Sequence, residues 1–166
     1  MTGRHSNHFI AERVEALAVM HLTRRADLRV RREVRDGDRA MDLIVEVVEE
    51  GRPLNWKRFG VYLQGTRSPV TLPDANSKLK ISLGRFFHNY GEPSIPFCLF
   101  YFTMEDNRGY FTWVSQPVVD ERGHPRLKYH REGANCVELD LEALDSIVDS
   151  VNVYYEALYS NAIDHV

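Results

Sequence analysis

From Ile95 to Met104 the chain reads Ile-Pro-Phe-Cys-Leu-Phe-Tyr-Phe-Thr-Met, apolar or aromatic almost throughout. Pro93 and Pro96 bound the run on one side and Asp106-Asn107 on the other. It is far short of a membrane span and reads as a strand that must be covered on both faces. Met41 to Val48 makes the same demand. Period two places Asp42, Ile44, Glu46 and Val48 on one face and Leu43, Val45 and Val47 on the other. Two such strands predict an α/β (α+β) protein, a mixed central sheet flanked by helices.

The remaining periodicities fit that plan. Phe9 to Leu22 is expected as a helix with Ile10, Val14 and Leu17 inward, Ser6 or Asn7 as N-cap and Glu12 at the edge of the apolar stripe. Leu28 to Arg35 alternates as a strand, and Asp36-Gly37 is a hairpin turn signal. Trp56 to Gln64 is the third strand, after which Gly65, Pro69 and Pro73 signal a loop. From Asn76 onward Leu79, Leu83, Phe86 and Tyr90 fit a helix, although Leu79, Ile81 and Leu83 also fit a strand. Tyr110 to Val114 partners the apolar strand, and Arg126 to Leu139 holds one or two short strands broken at Gly133. Asp140 caps a last helix with Leu144, Ile147, Val151, Tyr154 and Leu158 on one stripe. The 166 residues suit one domain, 1–166, with one core.

Charge is spread unevenly. The net value is −3, yet Glu138 to Val166 carries seven acids and no Lys or Arg. Arg24 to Arg39 holds seven arginines against four acids, which suits an anionic partner on one face and equally suits two unlike solvated faces. The polar Met1–Asn7 start predicts no signal peptide, and Cys98 and Cys136 are expected as reduced thiols of a cytoplasmic protein. The seven histidines show no paired metal spacing. Trp56, Trp113 and Tyr110-Phe111 are expected in the core or in cross-strand pairs, rather than as base-stacking platforms.

Asp42 heads the second strand, and Tyr62-Leu63-Gln64 closes the third before Gly65-Thr66. A helix, then three antiparallel strands with an Asp on the second and a short motif on the third, resembles the opening of the PD-(D/E)xK, or restriction-endonuclease-like, fold. Beyond that shape the chain looks like the bacterial family called domain of unknown function 4365. The residues carrying the likeness are Glu12, Arg39-Ala40-Met41-Asp42, Phe59-Gly60-Val61, Gly65-Thr66, Ile95-Pro96-Phe97-Cys98-Leu99-Phe100 and Phe111-Thr112-Trp113. That family is similar to nucleases and is associated with bacterial defence against foreign DNA. Its Gln or acid is replaced here by Tyr62 and its Lys by Gln64.

The resemblance implies a site in which Asp42, the Leu63 carbonyl and Glu12 hold Mg²⁺, if any metal is bound. A lysine in such a site positions the attacking water and offsets charge on the phosphate. Tyr62 is a poor ligand for a hard cation and Gln64 brings no charge, so a pseudoenzyme is expected. The predicted function is a nucleic-acid- or partner-binding component of a bacterial defence-type system, with DNA ahead of RNA and no membrane. The partner would be a protein of the same system, and oligomerisation stays open. An Mg²⁺-dependent endonuclease with an Asp…Tyr-x-Gln site remains the alternative, with Lys78 or Lys80 swinging over the site in place of the missing lysine. The candidate nucleic-acid contacts are Arg29, Arg31, Arg35, Arg58, Lys78 and Lys80. Asp42 and Gln64 are expected on adjacent antiparallel strands, facing one pocket near the start of the first helix.

Overall fold

A computed structural model describes residues 3–33, 42–133 and 135–163, with side chains from residue 10 onward. In chain order it has α1 (Gly3–Leu22), β1 (Leu28–Arg32), β2 (Leu43–Val47), β3 (Lys57–Thr66) and α2 (Leu72–Tyr90). There follow β4 (Phe97–Thr103), β5 (Arg108–Val119), β6 (Pro125–Tyr129), β7 (Val137–Glu138) and α3 (Leu141–Ile163). One sheet runs β1-β2-β3-β4-β5-β6, with β7 added beside β5. Only β3 and β4 are parallel, and α2 makes the crossover between them. The sheet is therefore mixed, as the two-sided apolar strands require.

The apolar run occupies the middle of the sheet, and every residue of β4 is buried. Its two faces look into two cores. On one side α1 and α3 cover Leu43, Val45, Phe59, Val61, Leu63, Phe100 and Phe102 with Val14, Leu17, Ile147 and Val151. On the other, Leu79, Leu83 and Phe86 of α2 cover Leu99, Tyr101, Tyr110 and Val114. Helix α2 packs on β4 and β5, so among the described residues no helix lies over β1 and β2 on that side. That half-open face is where the candidate residues fall.

Several boundaries differ from the sequence expectation for local reasons. Helix α1 starts at Gly3, so Ser6 and Asn7 lie within it instead of capping it. Pro73 does not break the chain but sits in the first turn of α2, where a missing N–H costs nothing. Thr71 caps that turn, its side chain accepting from the Asp74 amide at 3.3 Å. The ambiguous segment after Asn76 is thus helix, and its apolar 3–4 spacing is what α2 buries. Asp140 caps α3 as expected, accepting from the Ala143 amide at 2.8 Å. The β4–β5 hairpin turns at Asp106-Asn107, where Asn107 has φ 55°. The Asp36-Gly37 turn and Arg35 lie outside the described residues. Cys98 and Cys136 are both buried free thiols. No helix among the described residues is long and apolar enough to cross a membrane.

Candidate functional site

Register on the half-open face follows from strand pairing. Arg29 lies opposite Glu46, and Glu46 opposite Arg58; one step along, Arg31 faces Ile44 and Ile44 faces Gly60. Continuing the alternation brings Asp42 to Tyr62, and the Glu33 amide bonds the Asp42 carbonyl at 3.2 Å. The face thus carries a basic row (Arg29, Arg58) around Glu46, a middle row of Arg31, Ile44 and Gly60, then an acidic row (Glu33, Asp42) ending on Tyr62. Gln64 lies beyond Tyr62 on the same face.

At the mouth of β2 and β3 the ladder stops early. Asp42 Oδ2 accepts the Leu63 amide at 2.8 Å, so its carboxylate replaces a backbone acceptor that β2 no longer supplies. That bond gives a half-buried carboxylate a structural reason to be there. In a strand the N–H and C=O of one residue point to the same edge, so the Leu63 carbonyl also opens toward Asp42. Tyr62 turns its ring into an aromatic group on α2, 5.5 Å from Phe86 and 6.4 Å from Tyr90 between centroids. Asp42 and Gln64 therefore share a face, as expected, but it is the face of α2. Helix α1 packs on the other side, and Glu12 is an exposed residue of that helix, apart from the Asp42 face.

A hard divalent cation needs several converging oxygen ligands, typically two carboxylates and a carbonyl with waters. Asp42 is engaged by an amide, Tyr62 is a neutral phenol held in an aromatic cluster, and Gln64 adds an amide only. Among the described residues no three His, Cys, Asp or Glu side chains come close enough together to hold a metal ion. The donor set does not fit Mg²⁺. Lys78 is exposed, and Lys80 lies against the turn at Gly133 in a separate cleft with Asn76 and His130. Neither lysine is brought to Asp42 in this arrangement.

The arginines are organised by an acid that the sequence reading placed only by alternation. Glu46 has a side chain 4% exposed, with Arg31 Nε 3.2 Å from Oε1 and Arg29 Nε 3.9 Å from Oε2. A carboxylate so far from water requires cationic neighbours, and here it holds two guanidinium groups in a row at the surface. Arg58 is half-buried and, among the described residues, its guanidinium makes no hydrogen bond or ion pair. Arg32 belongs elsewhere, paired with Glu15 of α1.

Beside Arg58 the face dips into a cleft of about 440 Å³, walled by Phe86 and Tyr90 of α2 and by Ile95 and Phe97 ahead of and within β4. Its floor exists because residue 60 is Gly: a Cβ there would lie 2.5 Å from the Phe97 ring. Sequence reasoning took Phe86, Tyr90 and Phe97 only as periodic core positions. Nothing in spacing alone could join α2's last turn to β2 and β3. Comparison of the chain with protein-family models, with curated proteins and with solved structures returned no match.

Proposed function

We propose that this protein is a nucleic-acid-binding component of a bacterial defence-type system, built on a restriction-endonuclease-like scaffold whose metal site has been lost. The order helix, three-strand meander, helix, parallel strand supports the scaffold, since it is the arrangement in which Asp42 and the Tyr62–Gln64 segment would meet. The observation that carries the loss of function is the Asp42–Leu63 bond together with Tyr62 packed on α2. The carboxylate that would bind metal closes a strand end, and the position of its fellow acid holds a ring. What remains chemically is a row of guanidinium groups suited to phosphate oxygens, with DNA preferred to RNA.

The test is binding and cleavage on the same DNA and RNA, with and without Mg²⁺ or Mn²⁺. Affinity is expected to fall linearly with salt on logarithmic axes, because each phosphate contact releases counterions. No cleavage is expected. Calorimetry should find weak or no Mg²⁺ binding in the natural protein and tighter binding in Y62E/Q64K, which restores an acid and a cation around Leu63. Cleavage that stops in EDTA, or tight metal binding abolished by Asp42→Ala, would return the endonuclease with an Asp…Tyr-x-Gln site to first place.

A further inference from the structure

The cleft beside Arg58 has the properties of a ligand site in its own right. Its walls are mostly apolar, yet a guanidinium with no partner among the described residues lies half-buried in its side. Leaving a partly desolvated cation unpaired is unfavourable, and an anionic group entering the cleft relieves it. Tyr90 is 39% exposed and presents a ring at the rim, braced from behind by Phe86 at 5.4 Å. At the other end lies a single carboxylate, Glu33, beside the C-terminal turn of α2. Carbonyls at that helix end favour hydrogen-bond donors over anions.

The cleft is therefore polarised: anion at Arg58, donor at Glu33, flat apolar surface between. Arg58 faces Glu46, and Glu33 bonds Asp42, four residues further along β2. At ~3.4 Å per residue the ends are roughly 13 Å apart along the sheet. A ligand that bridges them has a phosphate at one end, an amino-bearing planar edge at the other and a stacking face in the middle.

We propose that this cleft binds one nucleoside monophosphate unit, with its phosphate on Arg58, its base against Tyr90 and an exocyclic amino group directed at Glu33. The unit is either an unstacked nucleotide of a bound strand or a free mononucleotide. Adenine and cytosine, which carry an amino donor, are favoured over thymine. The strand form rests on the nucleic-acid reading above; the free form does not.

The experiment uses the full chain in two arms. In the first, a short single-stranded DNA carrying one 2-aminopurine is titrated with the natural protein and with R58Q, Y90A and S94W. Ser94 is exposed at the cleft, so Trp there obstructs it without touching the core. In the second arm dAMP, dTMP and deoxyadenosine are titrated and followed by NMR. Each variant is expected to lower strand affinity about tenfold and to abolish the fluorescence change, a size typical of losing one base–aromatic stack. In the second arm dAMP should outbind both dTMP and deoxyadenosine.

Strand binding that all three variants leave unchanged overturns the strand form while the nucleic-acid reading survives. If dAMP binds and is lost in R58Q while no strand binds, the cleft holds a free nucleotide and that reading fails. Binding of neither strand nor dAMP overturns both.

Discussion

Lys57 and Arg58 are neighbours on one strand, and the sheet gives them opposite fates. Lys57 points to the closed face, is 1% exposed, and its ammonium is held by Glu49 of the β2–β3 turn and by Glu156 of α3 at 2.6 Å. Arg58 points to the half-open face, where a cleft lies beside it and no described acid pairs with it. A buried cation is tolerated when its attraction to partners outweighs desolvation. For Lys57 burial pulls the ammonium pKa down, but hydrogen bonds and charge from Glu156 and Glu49 more than offset this and leave it raised. The closed face is complete in itself. The other leaves a charge for something outside the chain to satisfy, and this asymmetry within two residues separates scaffold from site.

The largest effect should come from breaking the complete side. K57M keeps the apolar stem but strands two carboxylates under α3. Removing one member of a buried pair typically costs about 3–5 kcal/mol. The Glu156 side chain is 62% exposed and can rehydrate, so about 2 kcal/mol is the expectation here. Urea unfolding measures it. The triple variant K57M/E49Q/E156Q should recover most of that loss, since the stranded charges are gone. A K57M protein as stable as the natural one would mean that Lys57 is no more fully partnered than Arg58, and the contrast would collapse.

The legibility of the two faces from sequence differs in the same way. The closed face was readable because it consists of repeats: Phe59, Val61 and Leu63 alternate, and Leu144, Ile147 and Val151 follow helical spacing. The layering was legible too, from runs apolar on both sides. The half-open face depends on register and crossover, which pattern does not encode. Asp42, Tyr62 and Gln64 could be placed on one face by alternation, but not the amide of Leu63 on Asp42, nor Tyr62 against α2. Arg29, Arg31 and Arg58 were visible as charges. That Glu46 sits among them, and that Arg58 lacks such a partner, appears only when β1, β2 and β3 are aligned. Glu12 was assigned to the site on resemblance, and its helix lies on the other side of the sheet.

A smaller perturbation falls on the cleft itself. In G60A the new methyl meets the Phe97 ring at 2.5 Å, and Phe97 is fully packed, with Phe86 5.2 Å away. Overpacking of this kind costs about 1–3 kcal/mol, and the displaced ring narrows the cleft. Thermal unfolding should show the loss, and dAMP affinity should fall with it. Gly84 is the control, since nothing lies within 4 Å of a Cβ built there and it sits inside α2. G84A should gain about 0.5–1 kcal/mol and leave the cleft unchanged. Equal effects from the two glycines would show that the floor of the cleft is not set by Gly60.

The smallest expected change asks whether the two faces are linked. Tyr155 of α3 crosses the closed core, and its hydroxyl donates to the Arg58 carbonyl at 2.9 Å. Y155F removes one buried hydrogen bond, worth about 1 kcal/mol, or roughly 2–4 °C in Tm for a domain of this size. Its pH dependence has a definite sign. Burial disfavours the phenolate and pushes the Tyr155 pKa from a tyrosine's usual 10 to about 12. The unfolded chain then gives up this proton more readily than the folded one. The associated stability is full below pH 10 and is lost as pH rises toward 12. Tyr129, Tyr154 and Tyr159 are raised in the same direction, so Y155F should keep part of the alkaline loss. The gap between natural protein and variant should therefore shrink across that window; a constant gap would mean that the hydroxyl is not buried as described. Nucleotide affinity decides the rest. If Y155F lowers stability and leaves dAMP binding untouched, the closed face supplies stability and the open face recognition, independently. A parallel loss of affinity would mean that α3 fixes the backbone from which Arg58 reaches its ligand.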